Sequence, residues 1–167
     1  MGQRQSCARN TRAADLPLCV FRSTAPQAPE GSVHVSPLAF PDAERLVVDH
    51  LRNRPELAGT VIDNRPPPGF DGTQKAVLVS RVGGAWVDDL HLDQPLIDLE
   101  VYGPDKTAAH TVALAARAAV LTLTGTTYGG AAVTDVTEAD GPRWLPDHNR
   151  PAGHRYLSTV RISVRPA

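Results

Sequence analysis

Leu96-Ile97-Asp98-Leu99-Glu100-Val101-Tyr102 alternates apolar and polar residues without a break. Side chains of a strand point to opposite faces in turn, so Ile97, Leu99 and Val101 share one side and Asp98, Glu100 and Tyr102 the other. This is the pattern of a half-buried strand. Gly103-Pro104-Asp105 ends it and opens a helix, with Asp105 as N-cap and Gly125 as its stop. Within that helix Ala108, Val112, Ala115, Ala119 and Leu123 recur on one face, and Lys106, His110 and Arg117 fall on the opposite one. Small alanine side chains let a helix lie close against a sheet. A strand followed by a sheet-hugging helix sets the fold class for the rest of the chain.

Working back toward the N-terminus, Ala76 to Val82 is β-branched and mostly apolar. Gly83-Gly84 reads as a two-residue hairpin turn, because glycine accepts the positive φ such turns demand. Ala85 to Asp88 then starts a return strand, broken at Pro95. Further upstream, a helix of Asp42 to Asn53 carries an apolar stripe of Ala43, Leu46, Val47 and Leu51. Pro41 suits its first helical position, and Pro55 stops it. A short strand, Thr60 to Asp63, runs into Pro66-Pro67-Pro68-Gly69, which has to leave any sheet. Residues 1–36 are rich in Arg, Ala, Pro and Ser, and read as an extended or flexible arm before a domain of 37–167.

Working forward, Ala132 to Glu138 and Arg155 to Arg165 are strands, separated by a Pro-rich excursion from Gly141 to Gly153. In the last strand Tyr156, Val160, Ile162 and Val164 share a face, with Arg161 and Arg165 on the other. Pairing of those arginines with Asp98 and Glu100 on a neighbouring strand is expected. Two helices and about five strands predict an α+β layer, with both helices on one face of a mainly antiparallel sheet.

The 167 residues suffice for one domain with a modest core, and the net charge of −1 gives no ground for tight binding to nucleic acid or an anionic membrane. Cys7 and Cys19 make neither a disulfide framework nor a metal site. No run is long and apolar enough for a membrane helix, and Met1 to Ser6 fits a myristoylation pattern too common to carry weight, so an intracellular product is expected.

Candidate chemistry is sparse. In Asp88-Asp89-Leu90-His91-Leu92-Asp93, an extended backbone would project Asp89, His91 and Asp93 to one side, as a divalent metal site requires. A polar loop or strand end beside a hairpin is the preferred reading, since no second ligand group stands at a recognisable spacing. Ser36, Ser80, Ser158 and Ser163 lie in no nucleophile elbow, and the glycines follow no phosphate-binding order. His110 reads as a solvated helix residue. Arg4, Arg9, Arg12 and Arg22 lack interleaved aromatics, and read as a mildly basic tail rather than a nucleic-acid site. No catalytic residue, metal or cofactor is therefore expected. Trp144, in Gly141-Pro142-Arg143-Trp144-Leu145-Pro146-Asp147, either folds back on its own core or anchors a partner.

The order of these segments resembles the tail terminator (tail completion) proteins of long-tailed bacteriophages, especially those of actinobacterial hosts. The likeness covers most of Pro41 to Ala167. It is carried by the Pro41-Asp42 helix, the Val61-to-Pro68 strand and proline turn, Val77 to Gly84, Asp93 to Val101, the alanine-rich helix, Gly141 to Asp147 and Val160 to Val164. The resemblance implies a non-enzymatic, typically hexameric ring that caps the tail tube, stops its polymerisation and meets the head-side connector, or stopper. DNA would pass through its channel without sequence-specific binding. Its partners would be further copies of itself, the tail-tube protein and the connector, with no membrane. Its place would be the head–tail junction of the virion, after assembly in the host cytoplasm. Arg81, Gly83, Gly84, Trp86, Arg143, Trp144 and Asp147 would make intersubunit or axial contacts, and Asp98 and Glu100 would line the channel. The competing readings are another ring component of the junction or tube, and a small metal-dependent enzyme using Asp89, His91 and Asp93.

Overall fold

The computed structural model describes residues 40–88 and 91–166; the arm of 1–36, the start of the domain at 37–39 and Asp89 lie outside them. Two helices, α1 (Ala43–Arg52) and α2 (Lys106–Leu121), pack on one face of a six-stranded sheet. Its strands are β1 (Val61–Asp63), β2 (Ala76–Asp88), β3 (Leu92–Gly103), β4 (Thr127–Tyr128), β5 (Ala131–Trp144) and β6 (His154–Pro166), in the order β1-β2-β3-β6-β5-β4. Only β1 and β2 pair in parallel. The α+β class is as the periodicities require, with the two-residue β4 as a sixth strand.

Helix α1 starts at Ala43, two positions after the proline expected at its first helical position. Asp42 is the N-cap, its carboxylate accepting from the backbone N–H groups of Glu44 and Arg45, so Pro41 lies just outside the helix. Four orphan donors open every helix, and a short acidic side chain satisfies two of them here. Leu46, Val47, Val48 and Leu51 are almost fully buried, and each such aliphatic side chain contributes roughly 1.5–3 kcal/mol by leaving water. Arg52 ties the end of α1 to β1, donating to the Ile62 carbonyl at 2.9 Å and to Asp63 at 2.8 Å.

Ile97, Leu99 and Val101 face the helices, as their alternation demands, and Tyr156, Val160, Ile162 and Val164 meet them from β6. Helix α2 caps on Asp105 as expected, and ends at Leu121, with Thr122 as its cap, before Gly125. Its buried face, however, is Ala109, Val112, Ala113, Ala116, Ala119 and Val120. The expected stripe is widened, with Val112, Ala119 and Leu123 buried and Ala115 packed against the core, because α2 packs on α1 as well as on the sheet.

The largest correction concerns Gly83-Gly84. These residues make no turn: β2 continues through them, with Gly83 opposite Leu96 and Gly84 opposite Pro95, past a bulge at Arg81/Gly83. Gly84 is needed for another reason. Its φ is +98°, and a Cβ there would lie 2.6 Å from the Pro95 Cα and 2.8 Å from the Leu96 nitrogen. Pro95 likewise does not break β3. The β3–β6 pairing passes from Asp93↔Val164 to Leu96↔Arg161, and the missing donor falls in that gap. The chain reverses between Asp88 and Leu92 instead.

Gly141 to Trp144 also belongs to a strand rather than to an excursion. After register shifts at Val133/Asp135, Glu138/Asp140 and Asp140/Arg143, β5 pairs Arg143 with Leu157 and Trp144 with Tyr156. The bulges absorb Pro142. Only residues 145–153 leave the sheet, and they fold over its second face against the 64–75 segment. The two segments touch at glycines: a Cβ on Gly153 would come within 2.7 Å of the Gly72 Cα.

Candidate functional site

Consecutive antiparallel pairings put the end of β2 beside the starts of β3 and β5 and the end of β6. The opposite end of the sheet gathers Tyr102, His154 and Trp144. Each end thus presents one tryptophan. At the first, Trp86 is 63% exposed, next to Val82 and Val87, also exposed, and its ring stands 5.9 Å from that of Phe40. At the second, Trp144 is 47% exposed, with the Lys106 ammonium 4.3 Å above its ring and Leu145 beside it. Exposed aromatics of this size cost solvation, and a cation over the ring face offsets only part of that.

The flanks of the sheet matter as much as its ends. Among the described residues, β1 covers β2 only from Ala76 to Leu78. Arg81 marks where the cover stops: its backbone N–H donates to Glu44 Oε1 at 2.8 Å, and Glu44 Oε2 accepts from Asn64 Nδ2 at 3.1 Å. On the other flank β4 covers Ala131 and Ala132, and Gly125 and Thr126 exchange backbone hydrogen bonds with Val133. From there to Trp144 the outer edge of β5 has no described strand beside it.

The charged residues have definite partners. Arg81 clasps Asp93 with both nitrogens, Nη1 at 2.9 Å and Nη2 at 3.0 Å, and Asp93 is buried. Both carboxylate oxygens of Asp93 are therefore taken, at the start of β3, the strand end that the sequence allowed, and Asp89 lies outside the described residues. Among those residues no group of three His, Cys, Asp or Glu side chains is placed to hold a metal. Asp98 accepts from the Thr159 hydroxyl at 2.6 Å, and Glu100 pairs with Arg155 at 3.1 Å. The expected pairing with Arg161 and Arg165 does not form, because the register sets Arg161 opposite Leu96.

Asp147 is an internal group. It is buried, bonded to Arg150 at 2.8 Å and to the backbone N–H of Asn149 at 2.9 Å. The Tyr102 hydroxyl lies 3.0 Å from Asp147 and 2.8 Å from Glu100. Burial, then the two carboxylates, push the Tyr102 pKa well above the ordinary tyrosine value, so the hydroxyl stays a donor. Burial of Asp147 opposes its ionisation but is outweighed by Arg150, the Asn149 N–H and Tyr102, which hold its pKa below the usual value. Phe70 packs edge-on against Tyr102 at 5.1 Å. This clasp holds residues 145–153 under Trp144.

A small open cleft between α1 and β4 is lined by Leu46, Asp49, His50, Asn53, Leu123 and Tyr128, with the Tyr128 hydroxyl donating to Asp49 at 2.8 Å. Sequence reasoning singled out the two tryptophans but not Val82, Val87 or Glu44. For the valines, the uncharged run from Val82 to Val87 was the available signal.

No family model and no curated protein sequence matches this chain. Among solved structures, a chain from the virion of a native gene transfer agent particle superposes with a TM-score of 0.51 at 16% identity, over 71% of this chain and 91% of that one. The likeness is one of fold. It extends over nearly the whole of the other chain, so the α+β layer is that chain's architecture too.

Proposed function

We propose that this chain is a structural virion protein that forms a closed ring, a tail terminator of homohexameric type, with no catalytic role. The observation that carries this reading is the pair of sheet edges, on opposite flanks, that no other described strand covers. β2 and β5 run in opposite directions, because three antiparallel steps separate them. Setting β2 of one copy beside β5 of the next therefore repeats the antiparallel contact used inside the subunit. A head-to-tail contact of this kind, repeated by rotation, closes into a ring. Fold likeness to a chain of a gene transfer agent virion supports a virion role.

In such a ring the strand ends form the two rims, and each carries its exposed tryptophan toward the next component, the tail tube or the head-side connector. Gly83, Gly84 and Trp86 lie on the joining edge, with Arg81 at its boundary. Arg143 and Trp144 stand at the far end of the other edge, and Asp147 supports them from beneath. Asp98 and Glu100 face the side away from the helices, where a channel lining would carry them already paired, and DNA would slide past without base contacts. The ring belongs at the head–tail junction after assembly in the host cytoplasm.

The test is negative-stain microscopy and mass photometry of the full chain at micromolar concentration. A single closed ring of six copies is the expected result. Monomers at every concentration overturn the reading, and spontaneous long tubes replace it with a tube subunit.

A further inference from the structure

Building on the ring reading, we infer that Val82 to Val87 is the acceptor edge for β5 of a second copy, and that Glu44 is the positioning residue that sets where the added strand stops. Exposed sheet edges are ordinarily protected by charge, proline or bulges, because an unprotected one pairs with whatever strand it meets. The β5 edge follows that practice, with Asp135, Glu138, Asp140, Pro142 and three register shifts. The β2 edge has its two register shifts at the ends of the run, at Arg81/Gly83 and Trp86/Asp88, with no charge or proline between them. Val82-Gly83-Gly84-Ala85-Trp86-Val87 carries no charge, is exposed at every residue, and stays in regular register from Gly83 to Trp86. An uncharged edge that is regular between its two shifts is suited to receive a strand, and the acidic residues of the β5 edge oppose its pairing with a second β5.

Glu44 closes the inner limit of that edge. Its carboxylate takes the Arg81 N–H, the donor just beyond the end of β1, and is itself held by Asn64 from the segment that follows β1. An incoming strand that slid past Val82 toward Arg81 would have to displace this carboxylate and bury it. A slip of one residue would also turn every side chain of the strand to the wrong face. The carboxylate thus acts as a stop, and a single register is what lets every junction of a closed ring have the same angle.

The experiment uses the full-length wild type, Glu44→Ala and Glu44→Gln, the last keeping a carbonyl oxygen that can accept from Arg81. Amide hydrogen exchange is followed in the monomeric and assembled fractions, with particle sizes by mass photometry. In the wild type, Arg81 is expected to be protected in both fractions, and amides within Val82 to Val87 to slow only on assembly. Glu44→Ala should speed Arg81 exchange in the monomer by about tenfold, the worth of one ordinary hydrogen bond. It should also spread the particles over several sizes, and Glu44→Gln should restore both. A single wild-type ring from Glu44→Ala removes the positioning role. Exchange at Val82 to Val87 that is equally fast in ring and monomer, or already slow in the monomer because residues 1–39 of the same chain lie there, removes the acceptor edge while leaving the ring intact. No ring from the wild type at any concentration overturns both this inference and the ring reading.

Discussion

Replacing Tyr102 by phenylalanine removes one oxygen from an enclosed polar cluster and nothing else. The ring stays against Phe70, and the volume hardly changes, so no cavity opens. What is lost is the hydroxyl that lies 2.8 Å from Glu100 and 3.0 Å from Asp147. A hydroxyl has one hydrogen, so the two contacts amount to one charge-assisted hydrogen bond, not two. A bond to a charged acceptor is worth about 1.5–3 kcal/mol. Arg155 remains on Glu100, and Arg150 and the Asn149 N–H remain on Asp147, so neither carboxylate is stranded. The expected loss is therefore near the middle of that range, about 2 kcal/mol. For a domain of this size it should lower Tm by roughly 8 °C. Urea unfolding at pH 7 measures the first quantity and scanning calorimetry the second. Exchange of amides in residues 145–153 should rise at the same time, since the clasp holds that segment. A cost below about 0.5 kcal/mol, with unchanged exchange in 145–153, would refute the idea that Tyr102 anchors the segment beneath Trp144.

Removing Arg81 leaves a buried carboxylate without its partner, so Arg81→Ala should destabilise by about 3 kcal/mol, while Arg81→Met with Asp93→Leu recovers most of the loss in the same unfolding assay. Burial, opposed in part by the Ala119 carbonyl and aided by the positive charge of Arg54, whose Nη2 lies 2.7 Å from Nε2, depresses the pKa of His50. A depressed histidine favours the neutral form in the fold. Its contribution is thus complete above the unfolded value of about 6.5 and declines as pH falls through the lower folded one. Tm of the wild type should drop over that window, and that of His50→Gln should drop less. Gly84→Ala drives a Cβ into the backbone of β3 at Pro95 and Leu96, with a positive φ besides. A loss of about 2 kcal/mol or more is expected, measured by urea unfolding, where a true turn glycine would lose about half of that.

The strand that opened the reading, Leu96 to Tyr102, was legible because one of its faces is dry and the other is not. Period-two alternation records that difference directly. The same argument fails where packing is decided by remote partners. Gly83-Gly84 has the composition of a hairpin turn, but its glycines serve a close crossing with β3, and only the register of β3 reveals that. Pro95 and Pro142 look like breaks, yet each falls at a gap or bulge of its ladder, where no donor is needed. The Trp144 segment was misjudged for the same reason. The clasp of Tyr102 was not legible, since Tyr102, Asp147, Arg150 and Arg155 are brought together only by the folding of 145–153 over the sheet. Glu44 stands in the first turn of α1, where a carboxylate complements the helix dipole, and its second role needs the edge of β2 beside it.

The contact of Gly72 with Gly153 has a consequence for inheritance and for engineering. Two segments about 80 positions apart in the chain share one backbone crossing too tight for a side chain on Gly153. Neither can be exchanged for the corresponding segment of another subunit unless the other travels with it. They form one transplantable unit, read from two places in the gene.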